Sequence, residues 1–326
     1  MTSTSDRQLT PQAMPLLADR LNDTIRKIEK WAGFSVSPGS RLFRAIDVLH
    51  SVPSGKAFPA SPDQLKQIAH AVRDAQSFFV IGNMLGSERS DPVVTSLRRA
   101  IGGALGTTPH AAYRAQSELW ASAMIAAAGT APVIVNLKKD EKSPDVIIKK
   151  NTMEYSVEVK RPQSLSHVGN MVSKAARQLT LRQEDGRLRK RFHGGALVVD
   201  LTDCLPADMT MTLGAGPPVL DALREAHTSL SKRIHERIYS ESSRRILENR
   251  RHVFAAVSFV RLSWWDLSDR SQLNCITQRL KVTYLTEGGR KTLRYHRAHW
   301  LAGLICNGIR EVGVEPLGSG ELRFDS

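Results

Sequence analysis

The sequence holds only three cysteines, Cys204, Cys275 and Cys306, too far apart for any CxxC pattern. Their number and spacing exclude a secreted disulfide framework and a structural zinc site, and fit a reducing compartment. No apolar run approaches the roughly 18 residues that a membrane-spanning helix needs. The opening residues, MTSTSDRQLTPQ, lack the basic-then-apolar order of a signal peptide. The expectation is a cytoplasmic protein with no membrane partner. Phosphate-binding loops and serine-hydrolase elbows are missing too: Gly55-Lys56 has His50 where the loop's first glycine belongs, and GxSxG does not occur. His296 and His299 have helical spacing but no third metal ligand beside them in sequence.

Acidic residues are in deficit. Across 326 residues, 46 Lys and Arg face 32 Asp and Glu, a net charge of +14. The surplus is clustered. Residues 160–193 hold nine basic side chains against two acidic, and residues 232–251 hold seven against three, so these two segments supply eleven of the fourteen excess charges. Clustered positive charge suits a polyanion, because each phosphate neutralised releases condensed counterions. Nucleic acid is the expected partner, and an acidic protein is the alternative.

Apolar periodicity divides the chain. Leu17, Leu21, Ile25 and Ile28 keep helical spacing, as do Leu65, Ile68, Val72, Ala75 and Phe79 after Ser61-Pro62, a cap and first-turn pair. Residues 1–107 read as a helical domain for recognition, regulation or dimerisation. Residues 108–326 read as an α/β domain that opens with a helix from Pro109 to Ala128. Three strand segments follow at 131–139, 145–151 and 153–161, then a helix from Ser164 to Leu181 and a buried strand at 194–203. That order predicts an α/β layer with a mixed sheet. A Pro- and Gly-containing linker then leads to a basic helical insertion near 218–249 and a strand at 252–262. Trp264-Trp265, which follows, is a weak candidate for base stacking.

The chemistry lies in the hairpin. A two-residue turn over Asn151-Thr152 pairs Lys150 with Met153, and the same register sets Asp145 opposite Glu158. Directly opposed side chains share a sheet face about 4.5–5.5 Å apart, and Lys160 lies on that face roughly 7 Å along. Val146, Ile148, Val157 and Val159 then point to the other face, against a helix. Opposed carboxylates repel unless positive charge stands between them. Mg²⁺ is suited to that place, since it takes a carboxylate or two and completes its shell with water and phosphate.

Pro144-Asp145 with Glu158-Val159-Lys160 resembles the pattern of the PD-(D/E)xK, or restriction-endonuclease-like, nuclease superfamily over residues 109–203. The resemblance implies a core of helix, three-stranded meander, helix and strand, and a Mg²⁺-dependent nuclease in which Mn²⁺ could substitute. It implies that Asp145, Glu158 and the main-chain carbonyl of Val159 bind metal, that Lys160 acts on the attacking water, and that Glu118 joins from the preceding helix. It implies a polar or basic contribution from the following helix, by Lys174 or Gln178. Arg182, Arg187, Arg189, Lys190 and Arg191 complete the expected nucleic-acid contacts. DNA is favoured over RNA, a homodimer is compatible, and restriction or phage defence is the setting the resemblance suggests. The rival expectation is a binding protein of the same fold without turnover.

Overall fold

The computed structural model describes residues 8–53, 58, 61–84, 91–106, 109–129, 132–134, 144–185, 191–204, 211–214, 225, 232, 236, 253–266, 272–284 and 293–312. Within these, a short strand β1 (Gln8–Leu9) precedes five helices: α1 (Ala13–Ala32), α2 (Arg41–His50), α3 (Pro62–Met84), α4 (Asp91–Ala104) and α5 (Pro109–Ala127). Next come β2 (Pro132–Ile134), β3 (Val146–Lys150), β4 (Met153–Lys160), α6 (Leu165–Glu184), β5 (Phe192–Asp200), β6 (Met211–Gly214), β7 (Val253–Asp266), β8 (Gln272–Tyr284) and α7 (Leu293–Val312). The chain is α/β with a mixed sheet. No helix among the described residues is long and apolar enough to cross a membrane.

Among the described residues, eight strands make one sheet in the order β1-β8-β7-β5-β4-β3-β2, with β6 added beside β7. β4, β5 and β7 run parallel at its centre, while β2, β3 and β8 are antiparallel to their neighbours. Strands buried on both faces need near-continuous apolar sequence, and HGGALVVD in β5 and FAAVSFV in β7 supply it.

One face packs on α5 and α7. Trp120, Met124 and Ile125 meet Val146, Ile148, Val157, Val159, Val198 and Val257 there, together with Leu301 and Ile305. The other face packs on α6, where Val168, Val172, Ala175 and Leu179 cover Leu197, Val199 and Val260. A third core binds α1, α2 and α3 through Leu21, Ile28, Leu42, Leu49, Val72 and Phe78. The expected boundary near 107 falls just before α5, whose Leu119 and Ala123 belong to this helical core while Trp120 and Met124 belong to the sheet.

Three elements differ from expectation. α2, only ten residues long, sits between two turn-rich segments and starts at Ser40, whose hydroxyl caps it by accepting from Phe43 N–H. β6 lies inside the segment expected to be a linker, paired with the far end of β7 from Ser263 onward. β7 itself runs four residues past the expected end, so Trp264-Trp265 belongs to the strand. The basic insertion near 218–249 lies outside the described residues except for Glu225, Lys232 and Glu236, which are helical.

Candidate functional site

The β3–β4 hairpin has the register that its turn dictates. Asn151 takes a positive φ of 54°, which asparagine tolerates, and pairs Lys150 with Met153 and Val146 with Val157 across the ladder. Asp145 stands one step ahead of β3, level with Glu158. Pleating sends Val157 and Val159 to the α5 face and Glu158 and Lys160 to the α6 face.

Three charged side chains converge. Asp145 Oδ2 accepts from Val159 N–H at 2.8 Å and from Lys160 Nζ at 3.0 Å. Lys160 Nζ also donates to Glu158 Oε2 at 2.7 Å. The second oxygen of Glu158 meets Arg182 Nη1 at 2.5 Å. All four are buried, Glu158 and Arg182 with no exposure at all. The expected convergence is present, but the positive charge between the two carboxylates is the Lys160 ammonium. Arg182, expected to contact nucleic acid, is instead sealed in the interior: in the last turn of α6 its side chain points back toward the sheet and neutralises Glu158.

Glu118 joins from α5. It is 3% exposed and receives Arg114 Nε at 3.0 Å. Burial first, and then the charge of Asp145, push its carboxyl up to about 7 against the pull of Arg114 and Lys160. Glu158 is pushed up to about 7 by the same two causes, which outweigh Lys160 and Arg182. For Asp145 the balance reverses: burial acts to raise it, but Lys160 and the Val159 N–H hold it below the ordinary carboxylate range. Burial also opposes the charge on Lys160, yet Asp145 and Glu158 hold its ammonium above the ordinary lysine value.

A second network adjoins the first. Asp200, at the carboxyl end of β5 and wholly buried, accepts from Arg261 Nη2 at 2.9 Å, Ser117 Oγ at 3.2 Å, Thr202 Oγ1 at 2.5 Å and Thr202 N–H at 3.1 Å. Arg161, the residue after Lys160, grips Asp203 through two 2.7 Å bonds, donates to Ser117 at 3.2 Å and lies over the Tyr113 ring. Arg261 also donates to Ser77 of α3 at 2.7 Å. Burial would push Asp200 up, but Arg261 and Arg161 hold it well below the carboxylate range. Arg161 just past β4, Asp200 at the end of β5 and Arg261 within β7 are thus cross-braced to α3 and α5. Sequence reasoning missed these residues; their one signal was a charged side chain at the end of each apolar strand segment.

The other expected contacts scatter. Lys174 is exposed on α6, whereas Gln178 is 7% exposed. Arg191 is exposed, paired with Glu154 and set over the Phe192 ring. Arg187, Arg189 and Lys190 lie outside the described residues. Among the described residues no group of three or more His, Cys, Asp and Glu side chains is arranged to hold a metal ion, His296 and His299 on α7 included. Compared with protein-family models, with curated proteins and with solved structures, the chain matches none.

Proposed function

We propose that the chain is a metal-dependent nuclease that hydrolyses phosphodiester bonds, DNA before RNA, on a restriction-endonuclease-like core. One observation carries the reading: Asp145, Glu158 and Lys160 meet in a buried cluster at one end of the hairpin, with Glu118 close enough for its proton affinity to depend on Asp145. Charged groups whose proton affinities are driven apart in one place are a mark of catalytic sites.

The donors are of the kind a hard divalent cation takes, but the described residues as placed form no metal-holding group, so a cation would bind only where Lys160 and Arg182 give way to it. Asp145 and Glu158 offer carboxylate oxygens, and Glu118 and Glu158, holding protons up to about 7, would release them to such an ion. Val159 turns its N–H toward Asp145, and the N–H and carbonyl of one strand residue face the same edge, so its carbonyl is turned to that side too. Bound there, Mg²⁺ or Mn²⁺ would polarise a water and offset charge on the phosphate. Lys160 does not serve as a base while both acids hold its proton in place. Its work is to carry positive charge at Nζ and to keep the two carboxylates apart in a fixed geometry. Arg182 keeps Glu158 oriented from behind, and Arg114 does the same for Glu118.

Incubation with plasmid DNA and with RNA, in Mg²⁺, Mn²⁺ or EDTA, tests the proposal. Metal-dependent cutting that disappears in Glu158→Gln and Lys160→Ala is expected. Cutting that survives both substitutions, or that EDTA leaves unchanged, refutes it. A second reading, a nucleic-acid-binding protein without turnover, is favoured by one feature: Lys160 and Arg182 already neutralise the acids that a metal would need. It expects salt-sensitive binding with no cutting in any metal.

A further inference from the structure

α3 turns Leu65, Ile68, Val72, Ala75 and Phe78 into the helical core. A second stripe on it, His70, Arg73, Asp74 and Ser77, keeps the spacing of one helix face and is wholly polar. Two of its members are buried and belong to the brace. Ser77 accepts from Arg261, and Asp74 accepts from Arg41 Nη1 at 3.3 Å and from Gln116 Nε2 at 3.2 Å. The other two lie further out, with His70 exposed and Arg73 half-buried. Arg73 donates to Nδ1 of His70, a neutral acceptor because burial and then the charge of Arg73 hold its ring down to about 4. A guanidinium has five N–H groups, and those that Arg73 has left over are open to solvent.

The other arginines of this corner have acids. Arg41 pairs with Asp74, Arg161 with Asp203 and Asp200, and Arg261 with Asp200. Arg73 has no acidic partner among the described residues. It also lies close enough to Arg261 for the two like charges to repel, and the charge of Arg161 reaches His70 as well. A half-buried cation among like charges, with free donors turned outward, favours an anion. The planar fork of arginine matches two oxygens of a phosphate. On so open a face a lone phosphate would be held weakly, whereas one link of a polymer gains from neighbours bound elsewhere. The position suits a polymer. Arg161 follows Lys160 directly, and Ser117, to which Arg161 donates at 3.2 Å, directly precedes Glu118. A strand laid against the carboxylate cluster would therefore pass beside α3. Resting on the nuclease reading, we infer that Arg73, backed by His70, binds a backbone phosphate of the substrate polynucleotide, which gives the helical domain a direct part in holding it.

The test is binding of the full chain in EDTA to labelled DNA and RNA duplexes of about 20 base pairs, read by fluorescence anisotropy across a range of salt. NMR of the histidine rings accompanies it, with His70 identified through His70→Gln. Arg73→Ala should weaken binding about three- to tenfold and lower the slope of log affinity against log salt by about one. It should hold or raise the melting temperature, because no ion pair is lost. Arg73→Lys should keep the slope. In the unaltered chain the His70 signal should move when polynucleotide is added, while that of His50, at the opposite end of α2 from Arg41, stays. Loss in Arg73→Ala on either the DNA or the RNA supports the site. An unchanged affinity and slope in Arg73→Ala overturns it. So does a His70 signal that polynucleotide leaves in place, a measurement that stands even if the variants do not fold. A His70 signal moved by inorganic phosphate or by polyglutamate, but not by polynucleotide, also overturns it and marks a site for small anions or acidic proteins. None of these readouts needs cleavage. A chain that binds as expected but never cuts overturns the nuclease reading alone, and one that cuts while Arg73→Ala binds like the parent overturns this site alone.

Discussion

Replacing Glu158 with glutamine removes a buried charge while keeping the side chain's shape. The folded protein holds this carboxyl's proton up to about 7, whereas the unfolded chain releases it near 4.5. A folded-state value raised in this way means that stability is fully present below 4.5 and is lost as pH rises through 7, because the native state then binds more protons than the unfolded one. Integrated from pH 5.5 to pH 8.5, one such group lowers the unfolding free energy by about 2 kcal/mol. Glu118, raised to about 7 by burial and Asp145, lowers it by about the same amount. The unaltered protein should therefore lose about 4 kcal/mol over this range from the two groups, and Glu158→Gln about 2. Urea titrations at pH 5.5, 7 and 8.5 with a common slope measure the difference between the two proteins, about 2 kcal/mol, because other titrating groups, such as His70 held down to about 4 by burial, act on both alike. A variant whose stability falls as steeply as the parent's would show that Glu158 is already ionised at pH 5.5. Burial and the repulsion from Asp145 would then be weaker than the pull of Lys160 and Arg182, and the proton-held donor set would be refuted.

Lys160→Met should cost about 3–5 kcal/mol at pH 8, where it leaves buried carboxylates without their shared cation, and less at pH 6, where Glu118 and Glu158 accept protons; paired urea titrations decide, and an equal loss at both values refutes the coupling. Asp200→Ala should cost a similar 3–5 kcal/mol by stranding Arg261 and Arg161. Because Asp200 is held below its ordinary 3.8, its contribution is present above that pH and disappears as pH falls further, so the parent and the variant should converge in acid melting curves. Gly195→Ala should destabilise by about 3 kcal/mol or more, because a Cβ there would stand 1.9 Å from the Ser156 carbonyl oxygen and 2.8 Å from Leu179; soluble yield and melting temperature report it, and an unchanged melting temperature would refute the close packing of β4 on β5.

What the sequence disclosed depended on how local its cause was. The hairpin register was readable because a two-residue turn fixes every pair behind it, down to Asp145 beside Glu158. The helices at 13–32 and 62–84 announced themselves through long apolar stripes. α2 was hidden because ten residues give too few turns of a period, and β6 because its partner lies more than forty residues downstream. The inward turn of Arg182 was hidden for a different reason: arginine in a basic run looks like surface, and only the depth of Glu158 makes it a counter-ion. The Asp200 brace draws on Ser77, Ser117, Arg161 and Arg261, which no spacing rule would group. Long-range polar networks leave almost no trace in the order of residues, because each member is chosen for a neighbour that folding brings from elsewhere.

The two-sided packing of α5 has a consequence for anyone dissecting the molecule. Leu119 and Ala123 face the helical core, while Trp120 and Met124 face the sheet. Cutting the chain at 107 would therefore strip one flank of the helix that carries Glu118 and bare a greasy seam. A shortened protein of that kind would tend to clump in solution. An assay that found it inert would be reporting lost upkeep of the hearth, and would say nothing about whether the first hundred residues choose the fuel.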